Sequence, residues 1–160
     1  MNIFDYAMQM EKEGEAFYRQ LIEQTNNKGI RKILTMLADE EEKHYNAIKE
    51  IRAGRSEMTE TTILHDATNV FAVMKESSEK LELDTGQIAL YEKAQYIELK
   101  SKDFYLEKAD LVEHDYQRDL FLRLAEEEQK HYFLLDNIIE FVARPDYWLE
   151  NAEFCHIEQY

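Results

Sequence analysis

One nine-residue pattern occurs twice in this chain, at a constant offset of 87 residues. Leu37-Ala38-Asp39-Glu40-Glu41-Glu42-Lys43-His44-Tyr45 returns as Leu124-Ala125-Glu126-Glu127-Glu128-Gln129-Lys130-His131-Tyr132. Upstream of each copy, a glutamate stands six residues before a Phe-Tyr pair: Glu11 before Phe17-Tyr18, and Glu98 before Phe104-Tyr105. Glu11 and Glu98, Glu41 and Glu128, and His44 and His131 all keep the 87-residue offset. Each half therefore supplies a single Glu and a Glu-x-x-His pair. Four helices pointing these six groups at one place make a two-metal carboxylate site.

The spacing of apolar residues predicts those helices. Phe4, Ala7, Met8, Glu11, Tyr18, Leu21 and Ile22 fall on one 3.6-residue stripe, which predicts a first helix over about 2–26. Asn26-Asn27-Lys28-Gly29 makes the turn, with Asn27 placed to cap the next helix. The second helix, about 29–53, carries Leu34, Leu37, Glu41, His44, Ile48 and Ile51 inward. Residues 54–84 are polar, with a short helix expected near 67–80. A connection of this length is too long for a tight turn and right for a crossover from one end of a bundle to the other. A third helix over about 84–111 turns Ile88, Tyr91, Ala94, Glu98, Ser101 and Tyr105 inward. A fourth, about 116–143, does the same with Phe121, Leu124, Glu128, His131, Leu135 and Ile138, and Arg144-Pro145 stops it. The expectation is an all-α protein: a four-helix bundle over 1–143 with a long crossover between its second and third helices. A short helical tail over 144–160 folds onto the bundle or a partner chain. Four Gly and one Pro in 160 residues agree with long helices rather than a turn-rich β fold. A helix pair cannot bury its apolar stripe alone; two copies about a pseudo-twofold axis can.

Residues three apart share a helix face. Each Glu-x-x-His pair can thus bridge two cations with its Glu and cap one with its His, while Glu11 and Glu98 serve one cation each. Carboxylate plus imidazole without thiolate suits iron or manganese, and zinc also accepts these donors. Four glutamates and two divalent cations sum to zero charge. Without cations, four carboxylates in a bundle interior repel each other and lose hydration, so some must take up protons. The neighbours Glu40, Glu42, Glu127 and Gln129 are expected on the outer face. Tyr18 and Tyr105 lie two turns beyond Glu11 and Glu98; they are either hydrogen-bond donors to ligand carboxylates or core aromatics with a wet end.

The remaining features narrow the class. Asp and Glu number 34 against 19 Lys and Arg, a formal charge of -15, which argues against binding nucleic acid or anionic membrane. No apolar run is long enough to span a bilayer, and the N-terminus lacks signal-peptide regions. The single Cys155 excludes an internal disulfide and any four-thiolate iron centre, and fits a reducing, cytoplasmic setting. His65 and His114 fall in expected loops. Glu153-Phe154-Cys155-His156 has Glu-x-x-His spacing, yet it lies outside the repeat and off any long apolar stripe, so it is read as a decoy.

The stretches Glu11 to Tyr18, Leu37 to Tyr45, Glu98 to Tyr105 and Leu124 to Tyr132 resemble the rubrerythrin branch of the ferritin-like superfamily. The resemblance covers about residues 1–143. It implies a ferritin-like bundle holding a non-haem di-iron site, with Glu11, Glu41, His44, Glu98, Glu128 and His131 as ligands. Two departures stand out. Ser101 and its repeat mate Gly14 occupy the position where rubrerythrins carry an extra glutamate one turn after the third-helix ligand. The Cys-rich electron-delivering domain is also missing, so turnover would draw on an external electron-transfer protein. The resemblance points to an oxidoreductase that reacts with hydrogen peroxide or dioxygen. The alternatives are an iron-binding or ferroxidase-type metal-handling protein, or metals that merely staple the bundle. The tail aromatics and long crossover point to a homodimer.

The decoy reading has a direct check. His44→Ala or His131→Ala should each lower metal content per chain in elemental analysis, and His156→Ala should leave it unchanged. Equal loss from all three would make the duplicated pattern irrelevant.

Overall fold

The computed structural model describes residues 2–54, 58–77, 83–150 and 157. Its helices are α1 (Ile3–Glu23), α2 (Lys28–Arg52), α3 (Ile63–Glu76), α4 (Ile88–Lys108), α5 (Asp115–Ala143) and α6 (Pro145–Glu150), with a 3-10 turn at Thr85–Gln87 before α4. No strand forms among the described residues. The expected all-α bundle with a long second-to-third crossover is what the chain adopts.

Local chemistry sets the helix ends. The Asn2 side chain accepts from the Asp5 amide and the Asn27 side chain from the Ile30 amide, both at 2.9 Å, so each asparagine satisfies an otherwise unpaired first-turn donor. α1 stops short of the expected Asn26. The Thr25 hydroxyl folds back onto the Leu21 carbonyl at 2.7 Å, and the Arg31 guanidinium takes the Ile22 and Thr25 carbonyls at 3.0 Å. The crossover helix begins earlier than the expected 67. The Thr61 hydroxyl accepts from the Ile63 amide at 3.2 Å, so the threonine run opens the helix rather than extending the loop. His65 consequently lies in α3, exposed, instead of in a loop, and His114 is exposed where α5 begins. α4 ends at Lys108, before the expected Leu111, which is exposed in the following turn. Arg144 ends α5, and Pro145 opens α6, where its missing N–H goes unneeded.

The helix ends fix the topology. At one pole the Gln87 side chain reaches the Gln24 carbonyl, and Asn27, Tyr91 and Val142 line a common pocket, so α1 ends, α2 and α4 begin and α5 ends there. At the other pole Arg52 pairs with Asp5, and Phe121 packs edge-on against Phe4 and Tyr105 at 5.7 and 5.3 Å. Hence α4 runs parallel to α2, as a full-length crossover requires. α1 pairs with α2 and α4 with α5, giving two antiparallel hairpins.

The interior has two apolar clusters. One holds Leu34, Leu37, Ala38, Ala94, Leu134 and Leu135; the other holds Ala7, Ala47, Ile48, Tyr105, Leu124 and Ala125. On every bundle helix the chain passes from one cluster to the other through a buried acid: Glu11, Glu41, Glu98 or Glu128. α3 packs over α2 and α5, and α6 folds onto the same chain. There Trp148 is 1% exposed and meets Phe71 at 4.4 Å and Phe141 at 5.9 Å between ring centroids. Residues 153 and 156, the decoy pair, lie outside the described residues.

Trp148 ties tail, crossover and bundle together. Trp148→Ala should therefore cost about 3 kcal/mol or more, from lost burial plus the cavity left behind. Urea denaturation followed by far-ultraviolet circular dichroism measures it; a change below about 1 kcal/mol would mean that the tail is only loosely docked.

Candidate metal centre

α2 presents Glu41 and His44, one turn apart, between Ala38 and Ala47; α5 presents Glu128 and His131 between Ala125 and Leu134. α1 and α4 add Glu11 and Glu98 from their midpoints. None of the six is more than 4% exposed, so all four bundle helices put acids where water does not reach. Glu11, Glu41, His44 and Glu128 each bring a ligand-type atom, all within 4.8 Å of one another. Glu41, Glu98, Glu128 and His131 do the same. The two groups share Glu41 and Glu128 and differ in one Glu and one His. The imidazoles lie nearly parallel, 5.5 Å apart with 7° between planes, as the repeat implies.

Lone pairs face each other across this space. Glu11 Oε2, Glu41 Oε1, Glu98 Oε2, Glu128 Oε1 and the Nδ1 atoms of both histidines are buried without a hydrogen bond. His44 Nδ1 comes within 2.9 Å of Glu128 Oε1 and 3.5 Å of Glu11 Oε2, and His131 Nδ1 within 3.4 Å of Glu41 Oε1, but without hydrogen-bond alignment. Buried polar atoms are nearly always partnered. Six converging atoms of ligand type, with none of their own donors aimed at them, fit a cationic third body.

Two tyrosines tie the hairpins together through the acids. The Tyr18 hydroxyl on α1 donates to Glu98 Oε1 on α4, and the Tyr105 hydroxyl on α4 donates to Glu11 Oε1 on α1, each at 2.5 Å. Burial, then the charges of Glu98 on Tyr18 and of Glu11 on Tyr105, push both phenols well above their usual range, so they remain donors.

The charges divide unequally. Burial, then the charges of Glu11, Glu128 and Glu98, push the Glu41 carboxyl well up; burial, then Glu98 and Glu11, do the same to Glu128. Burial also pushes Glu98 and Glu11 up, but the His131 charge outweighs it and takes Glu98 to about 2, and the His44 charge brings Glu11 below its ordinary value. Burial pushes both imidazoles down, yet the charge of Glu11 on His44 and of Glu98 on His131 lifts them well above their ordinary range. The side chains by themselves thus hold protons where cations would otherwise supply positive charge.

Three residues escaped the sequence reading. Glu127 and Glu40 do not lie on the outer face. Glu127 is 3% exposed and its Oε1 accepts from His44 Nε2 at 2.9 Å, while Glu40 is mostly buried with Oε1 3.6 Å from His131 Nε2. The outer-face assignment fails because a residue beside an inward glutamate still reaches the ring of the opposite hairpin. The signal was present, since both positions are Glu at the 87-residue offset. Glu42 is exposed as expected, and Gln129 accepts from Lys102 at 2.6 Å. Gly14 is the third: a Cβ there would stand 3.0 Å from Glu41 Oε2, so this helix position is kept bare for the carboxylate. A glycine inside a helix costs roughly 0.5–1 kcal/mol relative to alanine, and that cost is itself a flag.

The pH dependence follows from the shifts. Glu41 and Glu128 rise above 4.5 and His44 and His131 above 6.5, so their contribution is complete below those values and is lost as pH climbs through the raised folded ones. Glu11 and Glu98 act oppositely: their folded values lie below 4.5, so their contribution is present above it and is lost as pH falls through the lowered values, about 2 for Glu98. Chelator-treated protein should therefore lose Tm as pH rises across neutrality, and metal binding should release protons and tighten with pH. Thermal denaturation and calorimetry in buffers of different ionisation enthalpy read both. A Tm that climbs with pH in the chelated protein would refute this charge assignment.

The comparisons agree with this geometry. The rubrerythrin family profile matches residues 2–139. A hypothetical protein from Pyrococcus furiosus shares the fold, with a TM-score of 0.66, 21% identity and 88% of each chain covered. No curated protein matches the chain in sequence. No helix among the described residues is long and apolar enough to cross a membrane. With the family profile matching residues 2–139 and a buried carboxylate–histidine cluster at the bundle's centre, this chain belongs to the rubrerythrin family.

Proposed function

We propose that the cluster binds two iron ions and that the protein is an oxidoreductase toward hydrogen peroxide or dioxygen, re-reduced by an external electron-transfer protein. The observation that carries this reading is the pair of overlapping ligand groups sharing Glu41 and Glu128. Two separate sites would not share members, and a structural staple would not need two. In this reading Glu11, Glu41, His44 and Glu128 would hold one ion, and Glu41, Glu98, Glu128 and His131 would hold the other. Manganese or zinc would satisfy the same donors. Two ferrous ions, when bound, supply the two electrons that reduction of a peroxide consumes.

The chain's own residues prepare that chemistry. Tyr18 and Tyr105 each hold one oxygen of a terminal carboxylate, leaving the other oxygen toward the cluster. Burial between two apolar clusters keeps bulk water out, which strengthens every charge interaction inside. Gly14 lets the Glu41 carboxylate pack against its bare backbone, where a Cβ would stand 3.0 Å from Oε2.

Anaerobically prepared, ferrous-loaded protein should contain two irons per chain by elemental analysis and oxidise rapidly when mixed with hydrogen peroxide in stopped flow. Survival of the ferrous form, with both irons bound, would sink the peroxidase reading and leave a metal-handling protein. Uptake of far more than two irons per chain would point to storage.

A further inference from the structure

The 87-residue repeat gives every helix face an internal control. α4 carries two stripes. One turns Tyr91, Ala94, Glu98 and Tyr105 inward. On the other side Tyr96, Leu99, Asp103 and Leu106 follow the three-four-three spacing of a helix-packing seam, and the three apolar ones are 61, 36 and 44% exposed. Leu111 in the following turn and Leu122 on α5 are exposed as well. Lys102 reaches Gln129 at 2.6 Å, so this side of α4 adjoins the α5 face that carries Leu122 two turns earlier. In the first hairpin the five equivalent residues are all polar: Gln9, Lys12, Arg19, Gln24 and Thr35. There Arg19 bonds to Glu15 at 3.1 Å and to Asp39 at 2.9 Å, tying α1 to α2 at the surface. The counterparts of Glu15, Arg19 and Asp39 are Lys102, Leu106 and Glu126, which cannot form that network.

The first hairpin shows that the bundle closes over polar side chains at these positions, so the bundle does not need the apolar ones. Single exposed apolar residues call for no explanation, but a stripe continued onto a neighbouring helix marks a surface that something covers. The expected tail aromatic Trp148 is not available for it, being packed on Phe71 and Phe141 of its own chain. We infer that a second copy of this chain covers this face, its α4 lying antiparallel to the first about a twofold axis at the level of Ser101. Charge favours a like partner here. Each chain carries -15 overall, so two copies repel unless their contact surface is locally balanced. α4 is balanced, with Lys93, Lys100, Lys102 and Lys108 against Glu92, Asp103, Glu107 and the buried Glu98. Lys100 lies over the Tyr96 ring at 5.5 Å, which puts its charge on this face. Antiparallel pairing sets Lys100 beside the second copy's Asp103, twice by symmetry, and Tyr96 against the second copy's Leu106. A footprint about 30 Å long and two helices wide covers roughly 600 Å² per chain, the lower edge of stable interfaces. None of this depends on the metal reading.

The face can be tested with the residues that the first hairpin itself carries there. Sedimentation velocity at micromolar concentrations should show the unaltered chain as a dimer. Tyr96→Gln, Leu99→Lys and Leu106→Arg together should give a monomer, the dissociation constant rising about 100-fold or more, with the helical circular dichroism and metal content unchanged. Val73→Lys, at an exposed apolar residue of α3, should leave the dimer intact. Lys100→Glu alone should weaken the dimer, and adding Asp103→Lys should restore it. A monomeric unaltered chain overturns the proposal and leaves the face to a different protein. A dimer that survives the triple substitution overturns it too, because the copies then meet elsewhere. If the charge exchange does not restore association, the antiparallel arrangement is wrong. Should the triple variant not fold, Leu106→Arg alone, at the position where the other half has Arg19, decides in the same way.

Discussion

Four carboxylates share one dry layer of this bundle, and no single helix can neutralise them. Glu11, Glu41, Glu98 and Glu128 come from four different helices and meet between two apolar clusters. Charges buried without partners cost far more than one small domain's net stability. The layer therefore persists only with something positive in it, protons on Glu41, Glu128 and the two imidazoles or metal ions in their place. The rest of the architecture arranges itself around that need. Both hairpins must close to bring the four acids together, the crossover must run the full length so that α4 starts at the right pole, and the tyrosines must reach across from one hairpin to the other.

The stacking of the layers fixes where the site lies along the bundle. Each acid is flanked along its helix by apolar residues belonging to different clusters, as Glu41 is by Ala38 and Ala47. A slip of either hairpin by one helical turn would move an acid into an apolar cluster and an apolar side chain into the polar layer. Position along the bundle axis is thus set by the same pattern that sets burial. At Glu41 the fit depends on Gly14, against whose bare backbone the carboxylate packs.

The fold and the six central residues were legible because two independent signals agree on them: a 3.6-residue apolar stripe and a repeat at fixed offset. Where only one signal existed, legibility fell. The helix ends at Thr25 and Thr61 turned on hydroxyls bonding back to local backbone, which periodicity does not register. Glu127 and Glu40 carried the repeat signal but not the stripe, since they sit beside the inward face and act on the opposite hairpin. Their difference in reach is not written in the motif at all. Glu40 is engaged by the crossover's Thr61 hydroxyl, whereas Glu127 has Arg123 4.0 Å away.

The reciprocal tyrosine bonds bear on ancestry. Tyr18 serves the acid of the second hairpin and Tyr105 that of the first, and each four-residue ligand group borrows a glutamate from the opposite half. One hairpin alone holds every residue type the centre uses, yet it completes nothing. Two identical hairpins facing each other across a twofold axis would complete everything. The present chain has the form of such a symmetric pair joined end to end, with halves that are not identical, as Gly14 differs from Ser101.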